Sequence, residues 1–198
     1  MKTVVIATNN AHKVAEITTA LDFEGWEFKT LREMGVESDP AEDADTFEGN
    51  ARIKARAARA ACGGAVAALA DDSGLEVDAL GGAPGVYSSR YAGEDGNDAA
   101  NNAKLLRELD GVADGERTAR FVCTLVFIDD DGTERVARGT IEGRIGYEER
   151  GSEGFGYDPL FLPDEFSGAL TLAEVSQEQK NAISHRGNAL RKLKSQLA

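Results

Sequence analysis

Asp71 and Asp72 stand side by side in "ALADDSGLEV", at the end of an apolar run. Adjacent carboxylates repel each other and lose hydration when buried, so the pair calls for positive charge. Two acids at the carboxyl end of a strand sit where ligands bind in α/β sheets. Oxygen donors without Cys or His suit Mg2+, which keeps most of its waters and bridges to substrate phosphates. "DDSG" is also a good turn sequence, with an Asp capping a loop. The acidic loop "GVESDPAEDAD" holds Glu42 among several acids, with Glu37, Asp39 and Asp43 close by, and most of these must simply be solvated.

Four other stretches carry chemistry. In "ATNNAHKVAE" a strand turns through short polar residues into a helix, leaving backbone N–H groups aimed at the turn, which is an anion site. Thr8 and Asn10 add donors, and Lys13 adds charge one turn in. An ordinary cap at Asn9 or Asn10 explains the same residues without a ligand. Arg52, Lys54, Arg56 and Arg59 ride the next helix, where pairing with its own acids is the usual fate of such a row. In "EGFGYDP", Gly154 and Gly156 let backbone approach a flat ligand, Phe155 and Tyr157 offer ring faces, and Asp158 accepts from a base or sugar. "KNAISHRGNAL" gathers Lys180, His185 and Arg186, all donors, near a helix start. A core loop and a basic helix face are the ordinary readings of these last two.

The elements that must position these groups follow from periodicity. "TVVIAT" and "WEFKTL" read as strands, with a helix between them marked by Val14, Ile17 and Leu21. "TFEGNARIKARAARAAC" is a helix rich in Ala and Arg. "GAVAALA" is a strand ending on the Asp pair, and "LEVDAL" is a second, alternating strand or edge. A helix from Asn97 stops at Gly111. Arg117–Ile145 is a long hairpin turning at "DDDG". "GSEGFGYDPLFLP" is a loop, and one last helix starts near Ser176, where Ser176 and Gln179 form a capping box. The order of elements points to an α/β protein with a mixed sheet.

The chain has 198 residues, two Cys, two His and a formal net charge of -13. That length suits one domain, or one domain in two lobes, burying about 70% of its unfolded surface. A field this negative disfavours general nucleic-acid binding. The spread of acids fits a solvated surface such as a salt-adapted organism carries. No apolar run approaches the roughly 20 residues a bilayer span needs. "MKTVVIATNN" is too short and polar for a signal peptide, so the cytosol is the expected compartment. Cys62 and Cys123 read as separate thiols, and a histidine-rich metal site is excluded.

Taken in order, "TNNAHKVAE", "TFEGNARIKA", "ADDSGLEVDALGGAPGVYSSRYAG", "EGFGYDPLFLPD" and "KNAISHRGNAL" resemble the motifs of the inosine/xanthosine triphosphate pyrophosphatase family, from residue 4 to about residue 190. The resemblance implies an elongated mixed β-sheet flanked by helices, in two lobes with a cleft between them. It implies a homodimer, Mg2+, and hydrolysis of ITP, dITP or XTP to the monophosphate and pyrophosphate. Thr8, Asn10, Lys13 and Lys54 then look like triphosphate binders, within a turn that also takes in Asn9, Ala11 and His12. Glu42 and Asp72 look like metal ligands, and Asp72 like the general base. Ser73 looks like a substrate contact. Phe155, Gly156, Tyr157, Asp158, Lys180, His185 and Arg186 look like contacts to the nucleoside. The family usually has Gly where this chain has Asn9, and Asn is the next most tolerant residue if the turn needs positive φ.

Attack of water at the α-phosphorus would expel pyrophosphate, with cations stabilising charge on the phosphoryl oxygens. Tyr157 is expected to stack on the purine, and Arg186 and His185 to meet its C6 oxygen, which adenine lacks. Guanine keeps that oxygen, so this argument does not exclude GTP. A phosphohydrolase releasing orthophosphate, or a nucleotide-binding module without turnover, would explain parts of the same pattern.

Overall fold

The structure is a computed structural model, and it describes the chain apart from Asn9, Asp22, Ala198 and the side chain of His12. Six strands, β1 (Lys2–Ile6), β2 (Trp26–Thr30), β3 (Ala67–Val77), β4 (Thr118–Ile128), β5 (Glu134–Ile145) and β6 (Phe161–Pro163), form one sheet in the order β2-β1-β3-β4-β5-β6. β1 pairs in parallel with β2 and β3, while β5 and β6 are antiparallel, so the sheet is mixed. The helices are α1 (Ala11–Ala20), α2 (Phe47–Ala61), α3 (Asp98–Glu108), α4 (Gln177–Ile183) and α5 (His185–Leu197). No helix among the described residues is long and apolar enough to cross a membrane.

The chain divides into two compact units, interleaved in sequence. The first holds Met1–Asp72, Cys123–Gly139 and Arg186–Ala198; the second holds Ser73–Val122 and Thr140–His185. In the first unit, Val4–Ile6 of β1, Ala67–Asp72 of β3 and Cys123–Ile128 of β4 are buried on both faces, which is why these stretches read as nearly continuous apolar runs. Val4, Ile6, Leu69 and Leu125 pack with Ile17 of α1 and Leu190 and Leu193 of α5. Their strand neighbours Val5, Ala68, Ala70 and Val126 face the other way, onto Ala51, Ala55 and Ala58 of α2. The second unit has its own core, built on Leu75, Val77, Leu105, Phe121, Ile141 and Tyr157.

Three elements differ from the sequence reading. The Asp-Asp-Ser-Gly stretch is no turn, because β3 runs straight through it for eleven residues. Leu75 and Val77 keep the alternation going, and burial outweighs the local turn preference of Asp, Ser and Gly. The expected last helix is two, α4 and α5, parted at Ser184, whose ψ of 148° is extended. Ser176 and Gln179 do form the reciprocal capping box at the start of α4. β6 lies inside the stretch read as a loop, where Arg144 pairs with Leu162.

Candidate active site

The alternation of β3 answers the puzzle of the adjacent aspartates. Successive side chains on a strand point to opposite faces. Asp71 therefore shares the face of Leu69 with α1 and α5, and Asp72 shares the face of Ala70 with α2. Each carboxylate meets its own cations. Asp71 Oδ2 lies 3.2 Å from Lys13 Nζ and 3.3 Å from Arg186 Nε. Asp72 Oδ1 lies 3.0 Å from Lys54 Nζ.

Lys54 also reaches Glu42, with Nζ 2.9 Å from Oε2. One ammonium thus gathers two carboxylates from different elements. Glu37, Asp39 and Asp43, the neighbouring acids that could have taken this place, are exposed, while Glu42 is half-buried. Burial disfavours the charge on Lys54, but Asp72, Asp71 and Glu42 more than reverse this and hold its pKa above the usual value. Burial also pushes the Asp72 carboxyl above the ordinary carboxylate range, and Lys54 and Lys13 pull back only part of that rise. The other helix cations have the ordinary role. Arg52 pairs with Glu48 and Glu134, Arg56 with Glu134, and Arg59 donates to the Asp130 carbonyl.

The turn before α1 is self-capped. Asn10 N donates to Thr8 Oγ1 at 3.1 Å, and Asn10 Oδ1 accepts from Lys13 N at 3.2 Å. Ala11 opens the helix and is exposed. Asn9 and the side chain of His12, both expected in the phosphate-binding turn, lie outside the described residues. Arg186 is 2% exposed and is gripped by Asp71 and by Glu16 of α1. A guanidinium so held is a counter-charge for Asp71, which sets it apart from the expected reader of a base oxygen.

The second unit holds the aromatic loop. Asp158 Oδ2 takes the Lys180 ammonium at 2.6 Å and the Phe155 backbone N–H at 2.9 Å. Gly154, at φ +79°, makes room for this, since a Cβ there would run into the Asp158 carboxylate. Lys180 Nζ sits 4.7 Å from the centroid of the Phe155 ring, a cation–π arrangement. Gly156 is held at both ends by α3: its N–H donates to Asp98 Oδ2 at 2.7 Å, and its carbonyl accepts from Asn102 Nδ2 at 3.2 Å. Tyr157 does not present a ring face. It is 4% exposed, and its hydroxyl donates to the Ser88 carbonyl at 2.7 Å. Phe155 is the half-buried ring of this loop. His185 stacks on Phe121, with ring centroids 5.1 Å apart. Ser73, next to Asp72 in β3, is half-buried.

Sequence reading missed Asn50, Asp98 and Asn102. Asn50 lies four positions before Lys54 on α2, and Asp98 four before Asn102 on α3, and that shared helix face was the available signal.

The Ham1 family profile matches residues 4–196. A dITP/XTP pyrophosphatase of Exiguobacterium sibiricum is 50% identical over 194 residues, covering 98% of this chain and 96% of that protein. One of Geobacillus kaustophilus is 51% identical over 197 residues, covering 99% and 94%. Among solved structures, a HAM1 protein from Coxiella burnetii aligns with a TM-score of 0.90 at 42% identity, covering 100% of this chain and 98% of that one. With its motifs, its mixed sheet and full-length relatives at half identity in agreement, the chain belongs to the Ham1 family.

Proposed function

We propose that this protein hydrolyses ITP, dITP and XTP to the nucleoside monophosphate and pyrophosphate, and so clears non-standard purines from the nucleotide pool. The observation that carries the reading is the convergence of Glu42 and Asp72 on one ammonium, that of Lys54. The names of the full-length relatives, dITP/XTP pyrophosphatases, support the substrate class.

The donor set fits Mg2+, since Glu42 and Asp72 offer only oxygens and already converge on a cation. When bound, Mg2+ would neutralise charge on the phosphates and polarise them. The chain's own groups do the rest. Lys13 and Lys54 exchange their carboxylate partners for phosphate oxygens and stabilise the charge that develops there. Asp72 orients the attacking water and accepts its proton. The water oxygen bonds to the α-phosphorus, the bond to the bridging oxygen breaks, and pyrophosphate leaves. Asp71 keeps Arg186 as its partner when Lys13 turns to the phosphates, and it holds the strand position of its neighbour.

Phe155 takes the stacking role first expected of Tyr157, whose ring is in the core. With Arg186 committed to Asp71 and Glu16, reading of the C6 oxygen falls to His185 and to backbone donors. A site built of donors loses most when faced with the adenine amino group. The reading includes a homodimer, as the family resemblance implies.

A product assay tests it. With Mg2+, dITP and XTP should yield pyrophosphate in preference to dATP. Release of orthophosphate would replace this reading with that of a different phosphohydrolase, and binding without turnover would leave a nucleotide-binding module.

A further inference from the structure

Asn50 precedes Lys54 by four residues on α2, so both side chains lie on one helix face. Asn50 is 1% exposed. Its Oδ1 accepts from the Ala44 backbone N at 3.0 Å, and its Nδ2 lies 3.4 Å from Asp72 Oδ2. A backbone N–H can only donate, so the amide oxygen must face Ala44 and the NH2 must face Asp72. Lys54 takes the other oxygen of the same carboxylate, Oδ1, at 3.0 Å. One helix face therefore supplies a separate donor to each oxygen of Asp72. The contact from Asn50 is long for an N–H···O bond, so its effect is more on direction than on energy.

The same amide also anchors the loop that carries Glu42, because Ala44 is two residues further on. A second feature holds that loop. A Cβ at Gly49 would come 2.5 Å from Ala44 Cβ, so only glycine permits this close approach of loop to helix. Thr46 then caps α2, its Oγ1 accepting from Gly49 N at 3.1 Å.

We propose that Asn50 is a positioning residue for the reaction. It fixes the plane of the Asp72 carboxylate and holds the Glu42 loop against it, so that both acids face one cation. The proposal rests on the reading of Glu42 and Asp72 given above. A buried Asn that merely clamps a loop would affect stability alone; Asn50 touches both the loop and the reacting carboxylate, so its loss must also reach turnover.

The test uses the full chain with Asn50→Ala and Asn50→Asp. In the folded Ala variant, kcat for dITP at saturating Mg2+ should fall about tenfold to a hundredfold. KM should stay within about threefold of the parent, the mark of a group that acts on the transition state more than on binding. Mn2+ titrated without nucleotide and followed by paramagnetic resonance should bind more weakly than to the parent. If Asn50→Ala fails to unfold cooperatively, Asn50→Asp carries the test. It keeps an acceptor for Ala44 but turns an oxygen toward Asp72, so kcat should fall and KM should hold. Parental kcat and parental Mn2+ affinity in a folded Ala variant, a change in KM alone, or parental kcat in the Asp variant each overturn the proposal. A parent protein that releases no pyrophosphate overturns the functional reading instead, so the two failures are told apart.

Discussion

Each unit of the molecule contains an aspartate paired with a lysine, and the two pairs are built for different purposes. In the second unit, Asp158 and Lys180 meet at 2.6 Å with side chains 5% and 6% exposed. A backbone N–H and an aromatic ring occupy their remaining sides. In the first unit, Asp72 and Lys54 meet at 3.0 Å, and the lysine is shared with Glu42, whose side chain is 35% exposed. The first of these pairs is closed, with every neighbour fixed. The second has one cation among several acids and an edge open to water. A closed pair holds a loop in shape; an open one can exchange partners, as the proposed binding of phosphate requires. The number of acids around the lysine and their exposure distinguish the two, since both have the length of an ordinary ion pair.

The largest expected effect lies at the open pair. Asp72→Asn should lower turnover of dITP by orders of magnitude while thermal unfolding stays cooperative. Turnover within about tenfold of the parent at saturating Mg2+ would remove Asp72 from the chemistry, because general-base catalysis alone contributes about a hundredfold or more.

Next comes a direct contrast of the two lysines. Lys180→Ala leaves a carboxylate buried and unneutralised, so it should cost about 3–5 kcal/mol of unfolding free energy. Lys54→Ala should cost less, since Glu42 keeps an edge in water and Asp72 keeps the Asn50 amide at 3.4 Å. Its main effect, like that of Lys13→Ala, should be to weaken triphosphate binding more than monophosphate binding. Chemical denaturation and binding titrations measure both. Equal stability losses would erase the distinction between closed and open pairs, and equal losses for the two ligands would move that lysine away from the β and γ phosphates.

The smallest effects concern the aromatic loop. Phe155→Ala should lose about 1–3 kcal/mol of base stacking, alike for dITP and dATP. Tyr157→Phe should cost about 1 kcal/mol of stability through its bond to Ser88, with little change in kcat/KM. A fall in kcat/KM for dITP and dATP alike with a folded Tyr157→Ala, and none with Phe155→Ala, would return the stacking role to Tyr157.

Part of the candidate site was legible before any coordinates. The acidic pair and the aromatic loop stand out because their polar groups are costly to bury without a partner, while Lys54 was separated from its row of helix cations only by the family resemblance. Residues whose role is to hold another residue were harder to see. Asn50 is the one Asn of α2 and Asn102 one of two adjacent Asn on α3, and their residue type does not say what lies across from them. Roles also moved where burial decides. Tyr157 and Arg186 carry the right chemistry for a base, but the fold turns one ring into a core and closes the guanidinium between Asp71 and Glu16.

Local order was determined by the sequence alone wherever the local signal is strong: the strand–helix–strand opening, the Ala- and Arg-rich α2, the long hairpin and the capping box at Ser176. Tertiary structure alone decided that β3 continues through Asp71–Gly74, and hence that the two aspartates face opposite sides of the sheet. The local signal of Asp, Ser and Gly favours a turn, and only packing on both faces of the strand outweighs it. Tertiary structure also brought Glu42, the acid the family resemblance had named among four similar ones, to the ammonium of Lys54. Residues in one irregular loop look alike until the helix beneath them fixes which can reach the ammonium of Lys54.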